Sequence, residues 1–88
     1  MRAARTDANQ KEIVVALRKA GATVHHLHTV GGGCPDLVVG YQGVNYLMEI
    51  KTKTGKLTPR EQEFFDLWAG RCVVVRSAER ALNVIGLL

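Results

Sequence analysis

This chain of 88 residues lacks the features that mark several classes of protein. Its two cysteines, Cys34 and Cys72, lie far apart and form no CxxC or Cys/His pattern, so we expect reduced thiols rather than a disulfide or a zinc site. No apolar run approaches the roughly 18 residues that span a bilayer, and no signal-peptide core follows the basic start. Aromatic residues make up only 6%, too few for a surface that binds single strands by base stacking. We expect a cytoplasmic protein without membrane association.

The sequence also contains no internal repeat, low-complexity tract or linker, so residues 1–88 are interpreted as a single domain. Its apolar fraction of 47% argues against disorder, although a chain this short buries a modest core that a homodimer would reinforce. Twelve Lys and Arg against eight Asp and Glu give a net charge of +4. This excess favours polyanionic partners such as nucleic acids.

Hydrophobic periodicity predicts an α/β (α+β) fold with the order αβββαβα, in which a mixed central sheet is flanked by helices. The first helix covers 6–20, where Thr6 or Asp7 can form its N-cap, and Gly21 closes it. The three strands after this helix are predicted at 22–29, 36–40 and 44–51. The second and third of these strands are joined by so short a turn that they should be antiparallel.

The second half of the chain begins with a helix capped by Thr58, with Pro59 at its first position. The β-branched run at 72–75 predicts a central strand parallel to its neighbour, because a helix precedes it. Ser77 caps the last helix. The aromatic residues of the second helix are expected to pack in the core: Phe64, Phe65 and Trp68.

Charged residues occupy the ends of two adjacent predicted strands. Glu49 and Lys51 lie on one strand face, with Ile50 turned to the other side. If the strand after Asp36 pairs with this strand, the two carboxylates meet across the ladder, where opposed residues are roughly 5 Å apart. Such a cluster suits a hard cation such as Mg²⁺, which keeps several waters and contacts substrate phosphate.

These residues resemble the VRR-NUC group of the PD-(D/E)XK nuclease superfamily, small virus-type nucleases similar to Holliday-junction resolvases. The resemblance covers nearly the whole chain. Single motifs are weak, but their order, spacing and strand contexts make a specific combination. The matching stretches are Asp7-x-Asn9-Gln10-x-Glu12-Ile13, the glycines 31–33 before Pro35-Asp36-Leu37, Glu49-Ile50-Lys51, and Leu57-Thr58-Pro59 opening a helix.

The resemblance implies a Mg²⁺ or Mn²⁺ site held by Asp36, Glu49 and the Ile50 carbonyl, with Lys51 assisting the attacking water. It also implies an acid on the first helix that faces the metal. Glu12 is our choice for this acid, because it adjoins the buried stripe, and Asp7 is the competitor.

Relatives often carry a glutamine in the second helix, where this chain has Glu61 followed by Gln62. Glu61 shares a helix face with Phe64 and Trp68, whereas Gln62 points about 100° away. We therefore favour Glu61 for an inward role that orients water or a ligand. Its alternative role is that of a first-turn acid stabilising the helix.

Candidate nucleic-acid contacts flank these positions. Lys53 and Lys56 could grip a phosphate backbone, although each could simply be a solvated loop residue. Gly32 and Gly33 allow close backbone approach, either to phosphate or to a neighbouring strand. His26 could contact DNA or belong to a plain strand surface.

The combined prediction is a Mg²⁺- or Mn²⁺-dependent DNA endonuclease, acting as a homodimer on branched DNA such as four-way junctions or flaps. It would need no organic cofactor and would work in the cytoplasm of a bacterial or virus-infected host cell. The alternative is a non-catalytic nucleic-acid-binding or assembly module on the same fold. A cluster of like charges is costly, which favours the enzyme.

Overall fold

The computed structural model describes residues 3–87, with side chains described from residue 8 onward. The predicted order αβββαβα is confirmed, and the fold is a small α+β arrangement with a four-stranded mixed sheet and three helices. The elements are α1 (Ala3–Lys19), β1 (Thr23–His26), β2 (Leu37–Tyr41), β3 (Val44–Ile50), α2 (Pro59–Leu67), β4 (Cys72–Val75) and α3 (Ala78–Val84).

The sheet has the order β1-β2-β3-β4, with antiparallel pairing among the first three strands and a parallel pairing of β4 with β3. Gln42 and Gly43, both with positive φ (50° and 81°), form the two-residue turn between β2 and β3. Turns of this kind match the twist of a hairpin, and they fix its register. The predicted antiparallel β2–β3 pair and the parallel β4 are therefore confirmed.

The predicted central position of β4 is wrong, because this strand lies at one edge of the sheet. Its β-branched sequence is typical of strands covered on both faces. Only Val75 is fully buried in it, however, and the other residues of the strand are half-buried.

The core lies between the sheet and the pair α1 and α3. Ile13 and Leu17 of α1 are completely buried, as are Leu37 and Met48 of the sheet. Ser77 caps α3 as predicted, since its hydroxyl accepts a hydrogen bond from the Arg80 amide at 3.1 Å. In the described part of the chain no helix is both long and apolar enough to cross a bilayer.

Two predicted boundaries need correction at the start of the chain. Helix α1 begins at Ala3 and runs through positions 6 and 7, so neither Thr6 nor Asp7 is its N-cap. Strand β1 ends at His26 rather than at residue 29, because the chain turns away after Leu27. The Leu27 amide donates to the Asp36 carbonyl at 2.8 Å, and this bond closes the loop that contains the glycines.

Helix α2 is well capped but poorly covered. Thr58 and Glu61 form a complete capping box, as each side chain accepts from the other residue's backbone amide. No residue of α2 is buried, Leu67 and Trp68 are 78% and 47% exposed, and the Phe64 ring stacks on the Trp68 ring with centroids 5.1 Å apart. The predicted core role of Phe64, Phe65 and Trp68 is wrong, because helical spacing shows that apolar residues share a face but not what covers that face.

Candidate functional site

Asp36 and Glu49 are brought together at the open end of the β2–β3 hairpin, away from its turn. Leu37 pairs with Met48 in the antiparallel register, so the preceding residue 36 comes opposite residue 49. Asp36 is also held directly, because its Oδ2 accepts a hydrogen bond from the Ile50 amide at 2.8 Å. The strand register thus places two carboxylates side by side at one end of the hairpin.

The carboxylate of Glu49 is buried in an unfavourable environment. Glu49 is only 3% exposed, and its Oε1 is buried without any hydrogen-bond partner. Burial raises the pKa of Glu49 to about 8, and the negative charges of Asp36 and Glu61 act in the same direction. Burial also raises the pKa of Asp36, despite the opposing Ile50 amide and Lys51 charge. The positive charge of Lys51 acts to lower both pKa values but does not offset the effect of burial.

Lys51 lies within ion-pair distance of Glu49, and no other cation does so among the described residues. Its Nζ lies 3.5 Å from Glu49 Oε2 and 2.8 Å from Glu61 Oε1. Burial acts to lower the pKa of Lys51, but the hydrogen bond and charge of Glu61 outweigh it and raise this pKa. Lys51 is therefore a fixed ammonium group at neutral pH.

Glu61 lies between helix α2 and the acidic cluster. It closes the capping box of α2 and also reaches Lys51. Burial acts to raise the pKa of Glu61, yet the bonds from Lys51 and from the Thr58 amide lower it, so the group stays ionised. Gln62 is exposed and donates to Asp66 at 2.9 Å, away from the cluster.

The residues present fit a hard divalent cation with few protein ligands. The unpartnered Oε1 of Glu49 and the neighbouring Asp36 carboxylate offer anionic oxygens, and the Ile50 carbonyl belongs to the residue between Glu49 and Lys51. Mg²⁺ commonly takes one or two carboxylates and completes its shell with water and phosphate. Across residues 8–87, however, no three His, Cys, Asp or Glu side chains form a metal-ligand set.

The predicted helix acid is not seen to join this cluster. Glu12 is exposed, and none of the described hydrogen bonds or ion pairs links it to Asp36 or Glu49. The side chain of Asp7 lies outside the described part of the chain. Asn9 instead connects α1 to the site, because its Nδ2 donates to the Lys51 carbonyl at 2.9 Å.

Two residues of the site were missed by the sequence analysis. Asn9 lies one helical turn before Ile13, so a polar residue on the apolar stripe was the available signal. Arg76 follows β4, and its Nη1 donates to the carbonyls of Thr52 and Gly55 at 2.7 and 2.6 Å. A side chain that binds distant backbone carbonyls leaves no periodic pattern in the sequence.

The remaining predicted contacts lie around the cluster. Lys53 and Lys56 are exposed on the segment after β3, and His26 is exposed on edge strand β1. A side chain at Gly32 would meet no neighbouring atom, whereas a Cβ at Gly33 would collide with the Arg60 carbonyl. The close approach of Gly33 is thus to the backbone of α2, a partner that the sequence analysis did not consider.

The negative charges of the site contribute to the pKa values of both cysteines. Burial raises the pKa of Cys34, and the charges of Glu49 and Asp36 add to this effect. Burial likewise raises the pKa of Cys72 to about 11, with smaller contributions from Cys34 and Glu49. Thiols with a raised pKa are poor nucleophiles, so neither cysteine is a candidate for covalent catalysis.

The four-stranded mixed sheet with its three helices is consistent with a restriction-endonuclease-like core. The chain is similar to a solved VRR_NUC domain, with 28% identity, a TM-score of 0.71, and coverage of 91% of this chain and 92% of that one. This match confirms the predicted resemblance to the VRR-NUC group. No protein-family model matches the chain, and no curated protein sequence matches it either.

Proposed function

We propose that this protein is a Mg²⁺- or Mn²⁺-dependent DNA endonuclease. The observation that carries the proposal is the buried Glu49 carboxylate with its unpartnered Oε1, beside Asp36. A buried carboxylate oxygen without a hydrogen-bond partner destabilises a folded chain, and coordination of a cation would remove that cost. The match to a VRR_NUC domain supports the same reading.

Asp36, Glu49 and the Ile50 carbonyl would hold the ion at the end of the β2–β3 hairpin. A bound Mg²⁺ or Mn²⁺ would supply positive charge for the phosphoryl oxygen and would lower the pKa of a coordinated water. The Ile50 amide keeps Asp36 in place through its 2.8 Å hydrogen bond. This main-chain bond requires no side-chain reorganisation when substrate binds.

Lys51 would act as a charged donor and not as a base. Its pKa is raised, so it holds its proton at neutral pH and can orient the attacking water or stabilise the developing negative charge. Glu61 would orient the ammonium through the 2.8 Å ion pair. Glu12, which is exposed, remains a proposed ligand from α1.

The proposed substrate is branched DNA, such as four-way junctions or flaps, and the proposed assembly is a homodimer. The net charge of +4 and the exposed Lys53 and Lys56 support binding to a phosphate backbone. The exposed apolar residues at the end of α2, Leu67 and its C-cap Trp68, offer a surface for a second copy of the chain. Gly32 and His26 remain candidate DNA contacts. The proposed location is the cytoplasm of a bacterial or virus-infected host cell, and no organic cofactor is proposed.

The test is a cleavage panel on duplex, single-stranded, flapped and four-way DNA with Mg²⁺, Mn²⁺ or a chelator. Asp36→Asn and Lys51→Ala should remain folded and lose at least about a hundredfold in metal-dependent cleavage, the usual loss for removed transition-state stabilisation. The matched controls Asp66→Asn and Lys19→Ala remove the same charges from exposed positions and should cleave normally. Full activity of either site variant would contradict the proposal.

The same panel tests the non-catalytic alternative. A binding module would retain DNA with a steep salt dependence but show no metal-dependent nicking. Calorimetric titration with Mn²⁺ separates the two functions further, because a retired site should bind the ion weakly or not at all. Binding without either cleavage or metal uptake would favour the module.

A further inference from the structure

A polar cavity of about 450 Å³ opens beside the proposed active site, on the side of the loop that follows β3. Its charged lining residues are Lys53 and Arg76, and no acidic side chain belongs to the lining. The other lining groups are two threonine hydroxyls, which can donate hydrogen bonds, and the Asn9 amide, whose Nδ2 already donates to the carbonyls of Lys51 and Arg76. The complete lining is Asn9, Thr52, Lys53, Thr54 and Arg76.

Arg76 fixes the loop that forms one wall of this cavity. Its Nη1 donates to the carbonyls of Thr52 at 2.7 Å, Lys53 at 3.4 Å and Gly55 at 2.6 Å. The Gly55 amide donates to the Thr52 carbonyl at 3.2 Å and closes a turn. Because these carbonyls are engaged by a guanidinium, the loop presents no unpaired run of acceptors that would repel an anion.

The cavity is tied directly to the acidic cluster. Asn9, which lines the cavity, donates to the carbonyl of Lys51 at 2.9 Å. Thr52, also in the lining, is the next residue after Lys51. The main-chain amides of Lys53 and Thr54 donate to none of the described acceptors and remain available to a ligand.

We propose that this cavity is an anion subsite that receives one phosphate group of the bound DNA strand, near the phosphate that is cleaved. The inference rests on the proposed function for its ligand, but its chemistry is that of any phosphate ester. Lys53 and Arg76 supply positive charge, while Thr52, Thr54 and free amides supply directional donors. Arg76 is in addition a positioning residue for the loop.

The first experiment measures binding of a short labelled DNA duplex to chains that carry Lys51→Ala, so that the DNA stays intact in the presence of Mg²⁺. Addition of Lys53→Ala should weaken binding roughly three- to tenfold and reduce the slope of log K against log salt by about 0.9, as expected for one lost phosphate contact. The side chain of Lys53 makes no described contact, so the fold should be unaffected. Lys19→Ala, exposed at the far end of α1, is the control and should have less effect.

The second experiment is an amide-resolved NMR titration with inorganic phosphate and, separately, with a phosphorylated dinucleotide. Shifts of the Lys53 and Thr54 amides with both ligands are expected, with tighter binding of the dinucleotide if the subsite serves a DNA strand. Equal affinity for both would identify a site for free phosphate only, and it would overturn the assignment to DNA. Arg76→Ala removes both the charge and the donor to the three loop carbonyls, so it should weaken both responses.

The outcomes for the subsite and for the nuclease are distinguishable. If the wild-type protein cleaves DNA but Lys53→Ala binds with the same salt slope as Lys19→Ala, the subsite is wrong and the nuclease stands. If the amide shifts appear and no metal-dependent cleavage is found, the nuclease is wrong and the anion site stands.

Discussion

Replacing Glu49 by glutamine should stabilise the metal-free protein at neutral and alkaline pH. Glu49 is 3% exposed, one of its oxygens has no partner, and burial together with the charges of Asp36 and Glu61 raises its pKa to about 8. Glutamine has nearly the same shape but no charge, and its Nε2 can donate to the Asp36 carboxylate. The change therefore removes the buried negative charge without emptying the site.

The sign and size of the effect follow from proton linkage. In the unfolded chain a glutamate releases its proton near pH 4.5, whereas the folded protein keeps it until about pH 8. Between these values the folded state binds more protons than the unfolded state, so the free energy of unfolding falls as pH rises. At pH 8 the raised pKa of Glu49 lowers the free energy of unfolding by about 4 kcal/mol. We expect Glu49→Gln to raise the free energy of unfolding by about 2–4 kcal/mol.

The assay is urea unfolding of both proteins in chelator from pH 5 to pH 8.5, repeated with Mn²⁺. The wild-type protein should lose stability with rising pH and recover it with Mn²⁺, because an ion that binds only the folded state raises its stability. Glu49→Gln should show a flatter pH profile and little response to Mn²⁺. Glu63→Gln, an exposed change on α2, controls for loss of charge. Parallel profiles for wild type and Glu49→Gln would refute the reasoning.

Three further predictions concern α2 and the loop beside it. Glu61→Gln keeps the capping box and an oxygen for Lys51, so its cleavage rate should stay within about tenfold of wild type. Glu61→Ala should lower the free energy of unfolding by about 1 kcal/mol and the cleavage rate by a further tenfold or more. Equal cleavage rates in the two variants would exclude an orienting role for Glu61. Gly33→Ala should destabilise the protein by at least about 1 kcal/mol more than Gly31→Ala in urea unfolding, because both have positive φ but only residue 33 touches the α2 backbone. In light scattering the wild-type protein should have the mass of the proposed homodimer and Leu67→Glu that of a monomer. A monomeric wild type would contradict the proposed assembly, and a dimeric variant would place its interface elsewhere.

The acidic cluster could be predicted because its position depends on local rules. A two-residue turn fixes the register of β2 and β3, and that register brings residue 36 opposite residue 49. The alternation of side chains along β3 then decides that Glu49 and Lys51 share a face. These steps need no knowledge of the rest of the chain.

The errors arise where distant parts of the chain decide the outcome. The edge position of β4 depends on whether another strand pairs beyond it, which a β-branched run cannot reveal. The apolar stripe of α2 predicts a covered face, although nothing in that stripe specifies its partner. Asn9 donates to a carbonyl 42 positions away, and Arg76 donates to one 24 positions away. Their roles therefore become visible only in three dimensions.

The electrostatics of the site divide the chemistry between its residues. Lys51 has a raised pKa because Glu61 holds it, so its ammonium is available as a donor throughout the neutral range. Glu49 has a raised pKa because it is buried among acids, so it is the group whose charge a cation would restore. A lysine that had to accept a proton would need the opposite surroundings, with its pKa lowered by burial or by another cation. The pairing with Glu61 therefore favours stabilisation of charge by Lys51 over proton abstraction, and protonation of this residue should cause no fall in activity as pH drops from 8 to 7, because its amine is already protonated.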